Sequence, residues 1–274
     1  MILFWEISGG LGNQLYQYSK SLEIKEKYKK VHIVYVYFRR IHYKFHEHPR
    51  LRELLNIDIK IYSGIKIIIL RIIFSKFLSN ISSLFYFHSD NWWYKKKDIE
   101  NPEFKICKFG YIASLFQSLP RKSSLSFIKK NFKFKANLES DYGVLHIRLG
   151  DYLNSKNKSE IGLVSNQYYR NVYKKITNKV KKVFIITNGE TNEIENILNI
   201  NKNNLKIIKS KNDLDDFKLI INSSEIGMPN STFSIWAAYL SNSKNVYVPS
   251  IWIPAYPESI QNTKDLYFDN WNIL

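Results

Sequence analysis

The second half of the chain alternates short apolar runs with segments of helical period, and few folds accept that pattern. "GVLHIRLGD" (143–151) is an apolar run that ends in polar residues. "NQYYRNVYKKITNKV" (166–180) has helical spacing, and "KVFIITNGE" (182–190) returns to strand and turn. "ETNEIENILNI" then reads as helix, "NLKIIKS" as strand, "DLDDFKLIINS" (213–223) as helix and "EIGMPNS" as a short strand with a turn. "TFSIWAAYLS" (232–241) is a further helix and "NVYVPS" (245–250) a further strand. Strands alternating with helices of this length build βαβ units, and βαβ units require a parallel sheet.

The N-terminus states the same theme once. "ILFWEIS" predicts a buried strand, "NQLYQYSKSLEIKEKY" a helix and "VHIVYVY" a second strand. Between the first strand and its helix stands "GGLG" (9–12), three of only ten glycines in 274 residues. Beyond it the pattern blurs. Residues 65–87 are apolar with basic and serine interruptions and read as helical, while "DNWWYKKK" (90–97) and "FGYIASLFQSLP" (109–120) read as irregular. The polar stretch "NFKFKANLESD" (131–141) predicts a boundary. The expected fold class is therefore α/β, with two Rossmann-like domains facing across a cleft, residues 1–138 and 139–274, the first carrying the glycine loop. Such clefts commonly hold ligands.

Composition narrows the partners. Apolar residues at 45% and aromatics at 15% provide a sizeable core and exclude a disordered chain. The single cysteine, Cys107, excludes an internal disulfide and a thiolate metal cluster and fits a reducing compartment. No basic segment followed by an apolar one opens the chain, so no signal peptide is expected. Lys66, Arg71 and Lys76 interrupt the most apolar segment, so no bilayer span is expected either. The formal charge of +17 suits an acidic partner: nucleic acid, anionic lipid or a phosphorylated small molecule. It equally suits a lysine-rich chain kept soluble, because the 41 basic residues are scattered.

Five stretches carry chemistry. In "GGLGNQ" (9–14), glycines at a strand-to-helix turn let backbone approach a ligand, and a helix N-terminus offers free N–H groups. The dinucleotide fingerprint is a poor match: Gly10 and Gly12 fit its first two glycines, but Leu15 replaces the third and no acid ends "VHIVYVYFRR". A P-loop fails for want of Gly-Lys-Ser/Thr. In "HIRLGDY" (146–152), His146 and Arg148 alternate outward at a strand end and Asp151 follows in the turn. Arg148 offers a forked donor for phosphate, and Asp151 either orients it or receives a ligand; the bland alternative is a minor surface ion pair. In "NSTFSIW" (230–236), Asn230, Ser231 and Thr232 are all good helix caps, and the same helix end can bind phosphate. Asp215 and Asp216 complement a helix dipole, or an inward-facing acid accepts from a purine's N–H groups. His42, His46 and His48 have metal-like spacing, but flanking Arg and Lys oppose a cation and no acid or thiol completes a set.

Taken in order, "GGLGNQLYQYSKSL", "HIRLGDY" and "NSTFSIWAAYL" resemble the α-1,2-fucosyltransferases of glycosyltransferase family 11. "LRELLNIDI" (51–59) and "FGYIASLFQS" (109–118) agree more weakly, and the resemblance spans residues 2 to about 253. It implies a GT-B-like fold, GDP-fucose as donor, and inverting transfer to the 2-hydroxyl of a terminal β-galactoside, with no cofactor and no required metal. It also implies a bacterial cytosolic enzyme that builds surface glycans such as lipopolysaccharide O-antigen. Residue by residue, Arg148 matches the arginine on the donor diphosphate and His146 the histidine near guanine. Asp216 resembles the acid reading the guanine N–H edge. Asn230, Ser231, Thr232 and Phe233 match the phosphate-contacting turn. Gly10, Gly12 and Asn13 match the loop facing donor sugar and phosphate, which puts Asn13 at the reaction centre. Three departures stand out: Leu149 replaces a second arginine, Ile235 interrupts an aromatic pair after Ser234, and Asn188, Gly189 and Glu190 replace an acidic pair.

The chemistry requires that charge building on departing GDP be stabilised, which Arg148 and two helix N-termini can do without metal. A general base within hydrogen-bond reach would help the acceptor hydroxyl. Asp151, Glu160 and His146 are the candidates, and a dissociative transfer with weak base assistance is the alternative. Two other classes compete. "NWWY" beside "KKK" suits a nucleic-acid stacking groove, although no RNA motif is present and no nucleic-acid partner is expected. Residues 65–87 suit either a core helix or shallow, peripheral attachment to an anionic inner-membrane surface.

Overall fold

The computed structural model describes residues 2–38, 49–62, 85–87, 106–109, 119–134, 141–153, 162–210, 212–254 and 266–274. The chain divides into two compact units, Met1–Lys133 and Phe134–Leu274.

The first unit is a five-stranded parallel sheet. Its strands are β1 (Ile2–Glu6), β2 (His32–Phe38), β3 (Ile59–Tyr62), β4 (Phe85–Phe87) and β5 (Ile106–Phe109), in the order β3-β2-β1-β5-β4. β1 lies at the centre, with Phe4 in register with Val34 on one side and Lys108 on the other. Helix α1 (Leu11–Lys27) follows β1, and α2 (Leu51–Leu54) and α3 (Lys122–Asn131) complete the described helices. Leu11, Leu15, Tyr18 and Ile24 give α1 a buried stripe at helical spacing. α3 is fastened to α1 by Ser19 and Ser124, whose hydroxyls meet at 2.8 Å, and by Glu23, which accepts from the Arg121 N–H at 3.3 Å. One expectation is corrected here: residues 85–87, read as the end of a helix, pair as strand β4 with β5. Most of the expected helix, 65–84, lies outside the described residues, as does "DNWWYKKK".

The second unit follows the alternating pattern closely. It contains β6 (Tyr142–Ile147), a 3-10 turn (Gly150–Leu153), α4 (Asn166–Thr177), β7 (Lys182–Thr187), α5 (Thr191–Leu198), β8 (Lys206–Ile208) and α6 (Asp213–Ile221). Then come β9 (Glu225–Gly227), α7 (Thr232–Leu240), β10 (Asn245–Val248) and β11 (Asn272–Ile273). All pairings are parallel, in the order β11-β10-β9-β6-β7-β8. The chain winds outward from β6 through β7 to β8, then returns to the other side of β6 as β9. That reversal is the topological switch of a doubly wound sheet.

Packing explains why these segments settle so. β6 is buried from Gly143 to Ile147, the signature of a parallel strand covered on both faces. α4 is capped by Ser165, whose side chain accepts from the Tyr168 N–H, and it buries Tyr168, Tyr169, Val172 and Ile176. It sits close on the sheet because Gly143 and Gly227 carry no side chain: a Cβ there would lie 2.3 Å from Ile176 Cγ2 and 2.3 Å from Val172 Cγ1. Tyr168 donates its hydroxyl to the carbonyls of Met228 (2.7 Å) and Tyr247 (3.0 Å), tying the ends of β9 and β10 together. α7 is buried from Ser234 to Leu240, as a helix apolar on most of its circumference must be. Truncating its fully buried Trp236 to Ala costs ~3–5 kcal/mol of stability.

Candidate active site

In each sheet the strand at the switch, β1 or β6, runs straight into one of the sequence's signature loops. The crevice beyond those carboxyl ends is where open parallel sheets take ligands.

At the end of β6, His146 is buried and its Nδ1 pairs with the Ser234 hydroxyl on α7. Burial, reinforced by the Arg148 charge, pushes its pKa down to about 3, so the imidazole is neutral at physiological pH. This corrects the sequence reading of His146 as outward-facing. Arg148 stands just past the strand, half-buried. His146 meets the Phe233 ring edge-on at 5.8 Å, and Phe233 meets Phe217 of α6 at 5.1 Å. The histidine, the α7 N-terminus and α6 thus form one contiguous wall. Asp216, the neighbour of Phe217, has a buried Oδ1 with no hydrogen-bond partner among the described residues. Burial pushes its pKa up, the Ser210 hydroxyl opposes that, and Asp213 and Asp215 add to it.

The turn after β9 is organised by Asn230, which is buried and donates from Nδ2 to the Gly162 carbonyl at 3.3 Å. Ser231 occupies the N-cap position of α7, yet its hydroxyl makes no cap bond, and no acid stands in the first turn. Thr232 and Phe233 begin the helix, both half-buried. A helix N-terminus without an acid in its first turn is a place where negative charge is favoured.

At the end of β1, Gly9 has φ 75°, the left-handed region, and Gly10 is the N-cap of α1. Gly12 and Asn13 form the first helical turn, Gly12 buried and Asn13 half-buried. Leu15 is fully buried in the core of this unit.

The remaining expectations divide. Asp151 lies in the 3-10 turn, but its side chain is outside the description, and Glu160 lies outside the described residues altogether. His42, His46 and His48 are likewise outside them. Among the described residues no three His, Cys, Asp or Glu side chains gather as a metal site, and no helix is long and apolar enough to cross a membrane. Leu149, which replaces a second arginine, is buried and packs on Gly189. Its backbone N–H donates to Asn188 Oδ1 at 2.9 Å, so Asn188 steadies the turn, and Glu190 belongs to the capping box of α5. Sequence reading missed Ser234, Gln14 and Gln17 as organisers. Polar residues on otherwise buried helical stripes are the signal that marks them.

The fold and the two switch-point loops define a GT-B glycosyltransferase, an α/β class built from two doubly wound units. The chain belongs to glycosyl transferase family 11, whose family model matches residues 5–274. Two solved structures of the fucosyltransferase NodZ have a similar fold: NodZ from Bradyrhizobium (TM-score 0.54, 10% identity) and a NodZ α-1,6-fucosyltransferase crystal soaked with GDP-fucose (TM-score 0.53, 11% identity). Each pairing covers 88% of this chain and 92% of the other. The E. coli ADP-heptose lipopolysaccharide heptosyltransferase II is also similar (TM-score 0.51, 12% identity), over 100% of this chain and 90% of that one. No curated protein sequence matches the chain.

Proposed function

We propose that this glycosyltransferase moves L-fucose from GDP-fucose to the 2-hydroxyl of a terminal β-galactoside, with inversion and without metal, on a surface glycan such as an O-antigen. The observation that carries the donor is Asp216. A buried carboxylate oxygen without a partner, beside the Phe217–Phe233–His146 wall, wants a planar ligand bearing N–H donors. The N1–H and N2–H2 edge of guanine answers that need. Adenine, by contrast, has no N1–H donor.

Arg148 and the α7 N-terminus supply positive potential for the diphosphate. Neutral His146 lies beside the base, and its charge state does not oppose Arg148. As the fucose C1–O bond to GDP breaks, the electron pair passes to the β-phosphate oxygen, where these donors stabilise it. The acceptor oxygen bonds C1 from the opposite face and gives up its proton, with Asp151 or Glu160 as the candidate base. The family membership and the similar fucosyltransferase, whose crystal was soaked with GDP-fucose, support this choice of sugar.

Titration calorimetry in the presence of a chelator is the test. GDP and GDP-fucose are expected to bind, and UDP and ADP not. Tighter binding of ADP or UDP than of GDP would sink the donor assignment. Product NMR on a panel of terminal β-galactosides then reads the linkage.

A further inference from the structure

We propose that Gln14 and Gln17 are positioning residues for transfer: their side-chain amides clamp the Ser8–Gly9–Gly10 backbone so that two peptide N–H groups are held ready for an oxygen on which charge builds. This rests on the fucosyltransferase reading and adds a role for the first unit's loop.

The last backbone bond of β1 to its neighbour is Ile7 N–H to the Val36 carbonyl, at 2.8 Å. Beyond it Gln17 takes the place of a strand. Its Oε1 accepts from Ser8 N–H at 2.8 Å, and its Nε2 donates to the Ser8 carbonyl at 3.2 Å. One helical turn earlier, Gln14 Nε2 donates to the Gly9 carbonyl at 2.8 Å, while its Oε1 accepts from the Leu51 N–H at 3.1 Å. Both side chains are 1% exposed. A carboxamide is the one ordinary side-chain group that both donates and accepts in this flat geometry. Glutamate keeps only the acceptors, and methionine keeps only the length.

The consequence follows from peptide planarity. In a trans peptide the C=O of one residue and the N–H of the next lie in one plane and point oppositely. Pinning the Ser8 and Gly9 carbonyls toward α1 therefore aims the Gly9 and Gly10 N–H groups away from it. Neither N–H has a partner among the described residues. Two adjacent glycines would otherwise be the freest backbone in the unit, and Gly9 sits at φ 75°. The clamp is what makes a soft loop preorganised, and preorganised donors are what transition-state charge rewards.

The experiment compares Gln17→Met, Gln14→Met and Gln17→Glu with the wild type. Readouts are kcat and KM for GDP-fucose, GDP affinity by calorimetry, melting temperature, and 15N relaxation of the Gly9 and Gly10 amides. In Gln17→Met, kcat is expected to fall ~10- to 100-fold, the scale for a misplaced reacting group, with GDP affinity unchanged. Gln17→Glu is expected to fall between, and to recover relative to wild type as pH falls, because a protonated carboxyl can again donate to the Ser8 carbonyl. Unchanged kcat, or equal losses in kcat and GDP affinity, would overturn the clamp. Where Gln17→Met does not fold, Gln17→Glu decides by its pH profile. Where the wild type transfers no fucose, the donor reading fails instead. The clamp is then judged by relaxation alone: a loop as ordered in the variants as in the wild type refutes it.

Discussion

The ends of β1 and β6 occupy the same place in their two sheets and are built by opposite means. Between Ile7 and Leu15 there is no ionisable residue, whereas His146 stands in β6 and Arg148 and Asp151 follow within four residues of its end. The β1 loop is shaped by neutral amides, Gln14 and Gln17 on backbone. The β6 turn is shaped by the His146–Ser234 pair and by Asn188 on Leu149, and it carries the charge of Arg148. One topology thus yields an electrostatic site and a geometric one. The first should govern nucleotide affinity and respond to pH. The second should govern turnover and be indifferent to pH.

The sharpest way to break that division is Arg148→Ala. Removing one preorganised donor costs ~100-fold or more in transfer, because its hold on the diphosphate strengthens as charge builds there, and GDP affinity should fall too, because the same guanidinium holds the nucleotide before transfer. Steady-state kinetics with calorimetry checks this. Near-normal turnover would end the claim that β6 carries the charge.

The second effect is on stability. The folded pKa of His146, about 3, lies far below the ordinary 6.5 because of burial and then of Arg148. The folded state therefore refuses a proton that the unfolded chain accepts. Its contribution is complete above pH 6.5 and is lost as pH falls from there toward 3. At pH 5 the loss is about 2 kcal/mol. Urea unfolding at pH 7.5 and pH 5 should show it against His146→Gln, which lacks this titration, and equal pH slopes for the two proteins would refute it.

The second unit was far more legible in the sequence than the first, for a physical reason. In the second unit each strand of the alternating pattern is flanked by helices with clear periodic stripes, so both signals agree. β3, β4 and β5 are no shorter than β8, β9 and β10, but the sequence around them offers no clear helical stripe to frame them. The site divides similarly. Charged Arg148 and Asp216 announce themselves by type. Gln14, Gln17 and Ser234 do not, because a buried polar residue on a helical stripe looks from sequence like a break in amphipathicity. Leu149 shows the converse: it looked like a lost ligand, and its packing on Gly189 makes it core.

A third, smaller effect sharpens the electrostatic half. Asp216→Asn should weaken GDP binding ~10-fold or more, the scale of a charge-assisted hydrogen bond. The free protein should not lose stability at neutral pH. Burial holds the folded carboxyl's pKa above its ordinary value, so stability is fullest below the ordinary range and declines as pH rises through the raised one. The amide removes that penalty. Acidification through the raised pKa should weaken GDP binding to the wild type and leave the variant flat, and a variant that kept the wild-type pH dependence would count against this role.

The smallest effect tests the geometric half alone. Gly9→Ala places a Cβ at φ 75°, where the left-handed backbone strains an L-residue by about 1 kcal/mol. A melting-temperature drop of only ~2–4 °C should follow, on the scale of a domain this size. The strain has two outlets: the loop can hold its shape and the unit loses stability, or the loop can relax and the Gly9 and Gly10 N–H groups turn. The clamps at the Ser8 and Gly9 carbonyls oppose the second outlet. Alone, then, Gly9→Ala should cost stability more than turnover. Combined with Gln17→Met it should cost turnover more than the two losses multiplied, because the strain then has somewhere to go. Turnover losses that simply multiply would mean that glycine and clamp act independently, and that the loop's shape is not held from α1.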